Sequence, residues 1–146
     1  MEKFSSMPPY PEVPAALKRL RKAGFRIFTL TDTLPEVQER QLEYGGIADL
    51  FERRFSADSV KHHKPSRHAY TYVEKELGVR PSQLCLIACH TWDTLGAVAA
   101  GWKAPLVKRP GNDLLGVGPQ PQIVGEDLND VAENLIAQHQ EKAYVR

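Results

Sequence analysis

Residues 86–93, LIACHTWD, are the most informative about the fold, because they run from an apolar segment into polar residues just before a helical pattern. Apolar residues 84–88 suit a strand buried on both faces, and residues 95–100 carry a helical apolar stripe. In a parallel α/β sheet, the carboxyl end of a strand opens onto the crevice where ligands bind. Asp93 therefore lies where an active-site acid would lie, or it caps the helix that follows.

The composition is that of an ordinary globular domain. The chain has 146 residues, of which 42% are hydrophobic and 25% are charged, so it fits one domain with a real core. Its formal net charge of +1, from 19 basic and 18 acidic residues, offers no electrostatic footprint for nucleic acid or an anionic membrane. One basic concentration exists, which we interpret mostly as a solvated face: Arg53, Arg54, Lys61, His62, His63, Lys64 and Arg67.

The two cysteines and the absence of long apolar runs bear on the cellular compartment. Cys85 and Cys89 are four residues apart, which matches neither a redox pair nor a zinc site, so we expect two buried thiols in a reducing environment. The sequence opens with no charged-then-apolar leader, and no apolar run approaches the roughly 18 residues of a membrane helix. We therefore expect a cytoplasmic protein with no membrane partner.

Hydrophobic periodicity and breaker residues predict alternating helices and strands. Helices are predicted at 13–23, 34–44, 65–77, 95–100 and 128–139, with a helical turn at 47–51 and strands at 25–30, 55–57, 84–88 and 104–107. Asp127 is expected to cap the last helix. This order predicts an α/β fold in which helices cover both faces of a parallel sheet. We expect residues 1–10 to be irregular and residues 11–146 to form the core domain.

Polar residues stand at three element boundaries. Thr31 and Asp32 end one strand, Lys64 begins a helix after a loop, and Asp93 ends another strand. In a doubly wound sheet such positions can converge on one crevice. A hydroxyl, an ammonium and a carboxylate are the groups needed to stabilise an anion beside a nucleophile. Taken singly, Thr31 could be a turn cap and Lys64 a surface lysine.

Three segments together resemble the haloacid dehalogenase superfamily and, within it, the type II 2-haloacid dehalogenases. They are FTLTDT at 28–33, HKPS at 63–66 with Tyr70, and ACHTWDTLGA at 88–97. The similarity extends over nearly all of residues 8–140. It implies a three-layer, Rossmann-like core with a parallel sheet and no cofactor. It also implies a small anionic substrate, with hydrolysis of (S)-2-haloacids to 2-hydroxy acids.

The resemblance assigns roles to matching positions. Thr31 would bond the substrate anion or the nucleophile's carboxylate, assisted by the backbone N–H of Asp32, where dehalogenases usually carry Asn. Lys64 would neutralise negative charge in the pocket. Asp93 would hold Lys64 and help position the hydrolytic water, while Tyr70 would pack or hydrogen-bond near the same lysine.

The last of the three segments separates two chemistries of the superfamily. Phosphatases typically carry two acids four residues apart there, because Mg²⁺ prefers oxygen ligands. In this sequence Cys89 takes the first acid's place and Asp93 remains, which predicts no metal and favours dehalogenase over phosphatase. His90 departs from the usual Ser-Asn pattern. It would donate a hydrogen bond or a proton near the anion, or it simply orders the loop.

One family motif has no counterpart in the sequence. Family members begin with a strand ending in Asp-x-x-Gly-Thr, whose first Asp attacks the carbon that bears the halogen. The sequence contains no such motif, so we expect a partial core that lacks the nucleophile strand and the cap and is inactive by itself. Asp32 is a poor substitute, because an acid on the anion-binding turn repels the substrate.

The absent strand would stand between strands 25–30 and 84–88. Its loss predicts that these strands pair directly, that another chain inserts a strand, or that the chain self-associates, and we expect association. The alternative to an enzyme is a non-catalytic, truncated family member that binds a small anion or a partner chain.

Overall fold

Helices alternate with short parallel strands through most of the chain. The computed structural model describes residues 6–144, and residues 6–12 precede the first helix without regular structure. The helices are α1 Val13–Lys22, α2 Pro35–Tyr44, α3 Arg67–Leu77, α4 Thr91–Ala99 and α5 Leu128–Tyr144; the strands are β1 Phe28–Thr31, β2 Arg53–Ser56, β3 Leu106–Val107 and β4 Val124–Gly125. Short 3-10 helices span Ala48–Leu50, Ala57–Val60 and Pro81–Gln83. The predicted α/β class is confirmed.

The strands form two parallel half-sheets. In the first, β1 pairs with β2 from Phe28↔Arg53 to Thr31↔Ser56. In the second, β3 pairs with β4, a strand that the periodicity did not predict. The residues before α4 extend the second half-sheet through parallel bridges, Cys85↔Lys103 and Ala88↔Leu106.

Residues 84–88 do not form the continuous strand predicted for them. Their Leu86 N–H donates to Lys103 O at 2.8 Å, and Val107 N–H donates to Ala88 O at 2.9 Å. Between these two bonds stands Pro105, which has no N–H to give to the ladder. The pairing is therefore interrupted, which also shortens the predicted strand 104–107 to β3.

Residues 84–88 have one unpaired side. Backbone groups of Leu84, Leu86 and Ala88 bond residues 103–107. Successive residues of an extended chain direct their backbone groups to opposite sides, so those of Cys85 and Ile87 point away from β3. Within the described part of the chain, no backbone hydrogen bond reaches Cys85 or Ile87.

Strand β1 also has an unpaired side. The N–H of Glu52 donates to Ile27 O at 2.8 Å, so alternate residues from Ile27 onward face β2. Phe28 and Leu30 consequently direct their backbone groups away from β2. Their side chains pack in the same apolar cluster as Leu84 and Leu86, which sets the two unpaired edges over one core. Between described residues, no backbone bond joins the edges, so direct pairing of the two strands, the first of the three alternatives, does not occur.

Two apolar clusters lie on opposite faces of the strands. One combines helices α1 and α5 with Val107 and Ile123, and the other combines α3 and α4 with Phe55 and Trp102. Neighbouring strand residues contribute to different clusters, as alternation in a strand requires. The arrangement is the three-layer one expected from the sequence.

Two helix boundaries differ from the prediction and bear on the site. Helix α4 begins at Thr91, four residues earlier than expected, with the N–H of Thr94 donating to His90 O at 3.3 Å. Helix α3 begins at Arg67, two residues after Pro65. The predicted cap of the last helix is confirmed, since Asp127 Oδ1 accepts the N–H of Asp130 at 2.9 Å.

Candidate active site

The expected site residues lie at the carboxyl ends of β1 and β2 and on the loops beside them. Thr31 is the last residue of β1, and its register partner Ser56 ends β2. Lys64 lies in the loop before α3, and Asp93 lies in the first turn of α4. Parallel strands bring their carboxyl ends to one edge of the sheet, which is why residues distant in sequence meet there.

Lys64 and Asp93 form a buried ion pair. Lys64 Nζ lies 3.1 Å from Asp93 Oδ2, and the two side chains are only 10% and 6% exposed. Burial raises the pKa of the Asp93 carboxyl, the charge of Lys64 opposes this shift, and the nearby Asp32 charge adds to it. Lys64 is therefore not a surface lysine, and the side chain of Asp93 does not cap helix α4, because the two charged groups bond each other.

The second oxygen of Asp93 is free to accept a proton donor. Oδ1 is buried and has no hydrogen-bond partner among the described residues. An unsatisfied buried acceptor costs on the order of 1–3 kcal/mol. Such an atom at the carboxyl edge of a parallel sheet is suited to bind a water molecule or a donor of the substrate.

Tyr70 holds the backbone that carries Asp93. Its hydroxyl donates to Asp93 O at 3.1 Å, and the ring is fully buried. Burial, with the charges of Asp93 and Asp32, raises the pKa of Tyr70, so the phenol stays a donor. A Cβ at Gly96 would lie 2.5 Å from the Tyr70 hydroxyl and 2.6 Å from Pro65 Cβ. Glycine at this position therefore permits the close approach of α4 to Tyr70 and the lysine loop.

The turn after β1 is closed by its own side chains. The N–H of Thr33 donates to Thr31 Oγ1 at 3.1 Å, and Thr31 Oγ1 donates to Thr33 Oγ1 at 3.0 Å. Ser56 Oγ donates to Thr33 O at 2.6 Å and so fixes the turn to β2. Asp32 Oδ1 accepts the backbone N–H of Lys64 at 2.9 Å. Asp32 thus contributes its side chain to the site, whereas the sequence suggested only its backbone.

His90 lies at the rim, apart from the ion pair. Its exposed ring stacks on Trp92, with centroids 5.5 Å apart and an interplanar angle of 23°. Its Nδ1 lies 3.7 Å from Cys89 Sγ. Trp92 in turn lies under the Lys64 ammonium, with Nζ 5.9 Å from the ring centroid. Of the expected residues, Lys64, Asp93, Asp32 and Tyr70 are joined by direct bonds, whereas Thr31 and His90 flank them.

Three residues that support the site were missed in the sequence. Ser56 anchors the Thr31 turn, Gly96 permits close helix contact, and Trp92 lies against Lys64. A signal for Ser56 existed, because it lies within the predicted edge strand 55–57, next to its carboxyl end, and a polar residue there reaches the same edge of the sheet as Thr31. No local pattern marks Gly96, whose importance depends on residues from two other elements.

The described part of the chain has a cleft elsewhere but no cluster of metal-binding side chains. No group of three or more His, Cys, Asp or Glu side chains that could hold a metal ion occurs among these residues. Within the same residues, no helix is long and apolar enough to cross a bilayer. A cleft of about 310 Å³, lined by Arg21, Phe25, Arg26 and Glu52 among others, opens at the amino ends of β1 and β2, opposite the Lys64–Asp93 pair.

The fold and site define a Rossmann-like α/β core with a buried ion pair at the carboxyl edge of its strands, and known proteins resemble it. A model of the haloacid dehalogenase-like hydrolase family matches residues 2–101. An (S)-2-haloacid dehalogenase from Pseudomonas sp. (strain YL) is 27% identical over 130 residues, which is 89% of this chain and 56% of that protein. Haloacetate dehalogenase H-2 from Moraxella sp. (strain B) is 29% identical over 136 residues, covering 93% of this chain and 60% of that protein.

A solved structure matches the fold as well. The L-2-haloacid dehalogenase of Xanthobacter autotrophicus with chloropropionic acid covalently bound superposes with a TM-score of 0.84 and 21% identity, over 90% of this chain and 62% of that one. The chain belongs to the haloacid dehalogenase-like hydrolase family. It spans 56% to 60% of the length of the two relatives compared by sequence.

Proposed function

We propose that this chain forms the anion-binding part of a dehalogenase site that converts (S)-2-haloacids to 2-hydroxy acids. The buried Lys64–Asp93 pair beside the Thr31–Asp32 turn is the observation that carries the proposal. A compact ammonium in a water-poor pocket stabilises both a carboxylate and a departing halide. The activity named for the Pseudomonas relative supports this substrate class.

The proposed reaction has two steps. A carboxylate attacks the carbon that bears the halogen, a C–O bond forms, and the halide leaves with the electrons of the C–halogen bond. Water then cleaves the ester, which restores the carboxylate and yields the 2-hydroxy acid. Lys64 would neutralise the charge that gathers, Thr31 and the N–H of Asp32 would bind the substrate carboxylate, and Asp93 Oδ1 would accept a proton of the attacking water.

The nucleophile has to come from a further strand. The sequence contains no Asp-x-x-Gly-Thr motif, while the edges of β1 and residues 84–88 leave backbone groups unpaired over one core. We propose that one extended strand, supplied by another segment or chain, pairs with both edges and carries the attacking acid to the Lys64 side. Hydrogen bonds to two edges would hold it as in β-augmentation.

The test is halide release from (S)-2-chloropropionate. The chain by itself should release none, and co-expression with a fragment that carries an Asp-x-x-Gly-Thr strand should restore turnover. In the restored enzyme, Lys64→Ala should lower turnover by at least about 100-fold, the usual order for loss of electrostatic stabilisation. Lys61→Ala is the matched control, because the Lys61 side chain is 78% exposed and pairs with Asp58, away from the Lys64–Asp93 pair. Equal rates for the two variants would reject the role of Lys64.

The alternative is a non-catalytic family member that binds a small anion or a partner chain, and the missing motif favours it. Binding of 2-chloropropionate with no turnover after complementation would support this alternative. Halide release by the chain alone that disappears in Asp32→Asn would instead make Asp32 the nucleophile. Release of phosphate from p-nitrophenyl phosphate with Mg²⁺ would indicate a phosphatase.

Two further expectations complete the proposal. We propose a cytoplasmic location, which the free thiols of Cys85 and Cys89 support because a reducing compartment keeps thiols unpaired. The two thiols are not both buried as expected, since Cys85 is exposed and Cys89 is half-buried. We also propose association with a second copy or a complementing chain, which the two open edges support. Fractionation of cells that express the protein, followed by detection of the chain, checks the location.

A further inference from the structure

Asp32 joins two loops that are remote in sequence. Its Oδ1 accepts the backbone N–H of Lys64 at 2.9 Å, so it ties the end of β1 to the loop that carries the lysine. Among the described residues, the hydroxyl of the neighbouring Thr31 bonds only within its own turn. Because the Lys64 side chain is held by Asp93 and its backbone by Asp32, the two acids fix the lysine from opposite ends.

Asp32 and Asp93 together give the surroundings of the Lys64 side chain an excess of negative charge. The Lys64 ammonium bonds the carboxylate of Asp93, and the carboxylate of Asp32 bonds the backbone N–H of the same lysine. The charge of Asp32 reaches both Asp93 and Tyr70, whose pKa values it raises together with burial. With both acids ionised, two negative charges adjoin Lys64, whose ammonium carries one positive charge. The three groups together therefore have a net negative charge.

We propose that Asp32 is a positioning and specificity-determining residue, whose side chain holds the Lys64 backbone and whose charge makes the pocket prefer monoanionic carboxylates to dianions. The inference rests on the proposed function, because it assumes that the substrate anion binds beside Lys64. The repulsion from a fixed charge doubles between a monoanion and a dianion at the same distance. An acid at position 32 therefore discriminates against phosphate-like ligands more strongly than against carboxylates.

Two substitutions separate the charge of Asp32 from its hydrogen bond. Asp32→Asn removes the charge and keeps Oδ1 as an acceptor for the Lys64 N–H, whereas Asp32→Ala removes both. Asp49→Asn is the matched control, since it removes one exposed acid that lines the cleft at the opposite end of the strands. Binding of L-lactate, a monoanion, and of sulfate, a dianion, is measured by NMR titration of the Thr33 amide and the Trp92 indole N–H at low salt.

The expected result is a charge-dependent gain in affinity. Asp32→Asn should lower the Kd of lactate about fivefold and that of sulfate by about the square of that factor, roughly 25-fold, with both gains reduced by added salt. Asp32→Ala should gain less than Asp32→Asn, and its Lys64 amide should exchange with solvent faster. Asp49→Asn should change neither Kd by more than about twofold.

Several results would overturn the inference. Equal gains for lactate and sulfate, or no gain in Asp32→Asn, would reject the charge effect, and so would undetectable binding by wild type and Asp32→Asn alike. Identical Lys64 amide exchange in Asp32→Asn and Asp32→Ala would reject the positioning role. The titrations need no turnover, so they remain informative if complementation fails to restore halide release, which concerns the proposed function alone.

Discussion

Asp93 is buried beside one cation and still carries an unpaired oxygen. Its Oδ2 bonds Lys64, its backbone oxygen accepts the Tyr70 hydroxyl, and Oδ1 has no partner among the described residues. Burial dominates the electrostatics, so the pKa of this carboxyl is raised in spite of Lys64. A buried carboxylate with an unpaired oxygen lowers the stability of the fold. Groups that are destabilising in this way are concentrated at functional sites.

The raised pKa of Asp93 predicts how its contribution to stability varies with pH. The folded state keeps the Asp93 proton at pH values where the unfolded chain, with a pKa near 3.8, has lost it. The folded state then binds more protons than the unfolded state, so the contribution of Asp93 to the free energy of unfolding falls as pH rises above about 3.8. Urea unfolding of wild type and Asp93→Asn at acid and neutral pH measures this. A difference, wild type minus variant, that grows with pH would contradict the sign.

Tyr70→Phe tests the bond that supports Asp93. Loss of the hydroxyl removes a buried hydrogen bond to the Asp93 carbonyl oxygen, so we expect a loss of about 1–2 kcal/mol in the free energy of unfolding. Tyr72→Phe is the control, because the Tyr72 ring packs edge-on against Phe55 and no hydrogen bond of its hydroxyl is described. Similar losses in both variants, measured by urea unfolding, would assign the effect to packing.

At the scale of elements, the site depends on how closely helix α4 approaches its neighbours. Gly96 faces the Tyr70 hydroxyl and Pro65, and both contacts would be too short for a Cβ. Since Pro65 follows Lys64, a shift of α4 would move the lysine loop and Asp93 together. Close packing rather than a local motif thus sets the distance between the two charged groups.

Gly96→Ala should be destabilising by about 1–3 kcal/mol, since the added methyl overlaps two neighbours that are themselves packed. Gly116→Ala provides the control, because a Cβ there meets no atom within 4 Å. Thermal unfolding of both variants gives the comparison. A Gly96→Ala protein as stable as Gly116→Ala would show that α4 shifts easily, and the fixed geometry inferred for Lys64 and Asp93 would then be wrong.

An ion pair binds the segment before α1 to the rest of the domain. Glu12 bonds Arg109, and both side chains are 13% exposed. Glu12 also accepts the N–H of Leu128 at the start of α5. Burial opposes ionisation of Glu12, but the bonds from backbone groups and Arg109 together lower its pKa. The pair thereby joins the N-terminal segment to the turn after β3 and to the last helix.

Glu12→Gln should therefore destabilise the protein by about 1–2 kcal/mol at neutral pH, as expected for loss of a charged hydrogen bond. The pKa is lowered on folding, so the carboxylate's contribution is present above the ordinary value of 4.5 and is lost as pH falls through the lower, folded value. Urea unfolding at neutral and acid pH measures both effects. A loss that stays the same at acid pH would show that charge is not involved.

At the scale of the whole molecule, two half-sheets share one core but no backbone bonds between them. Phe28 and Leu30 of β1 pack with Leu84 and Leu86, while the backbone groups between them are unpaired within the described part of the chain. Such edges invite an added strand. The open edges, rather than the ion pair, are therefore the surface at which we propose that a partner strand binds.

Association through the open edge predicts concentration-dependent oligomers. Cys85→Pro removes an N–H that points away from β3, and Cys85→Ala keeps it, so the first variant alone should shift the protein towards monomer. Analytical ultracentrifugation of both variants and of wild type decides this. A wild-type protein that stays monomeric over the whole concentration range would contradict self-association.

Much of the architecture was predictable because it is encoded locally. Apolar periodicity set α1 and α2 nearly to the residue, and Asp127 marked the start of α5. The boundaries of α4 and of strand 84–88 were wrong for reasons outside their own residues. Pro105, which lies in the segment that pairs with residues 84–88, interrupts the hydrogen-bond ladder of that strand. The helical hydrogen bonds of α4 start at His90, whereas the predicted start followed the apolar stripe.

The α/β class, the family and the candidate site residues Lys64, Asp93, Asp32 and Tyr70 could be read from the chain alone, since periodicity and motif order are properties of the sequence. Which of these groups bond one another depends on the folded arrangement. It brought Asp32 to the Lys64 backbone and buried Asp93 with one free oxygen. These contacts join residues about 30 positions apart, and their geometry depends on packing between elements, which local sequence does not encode.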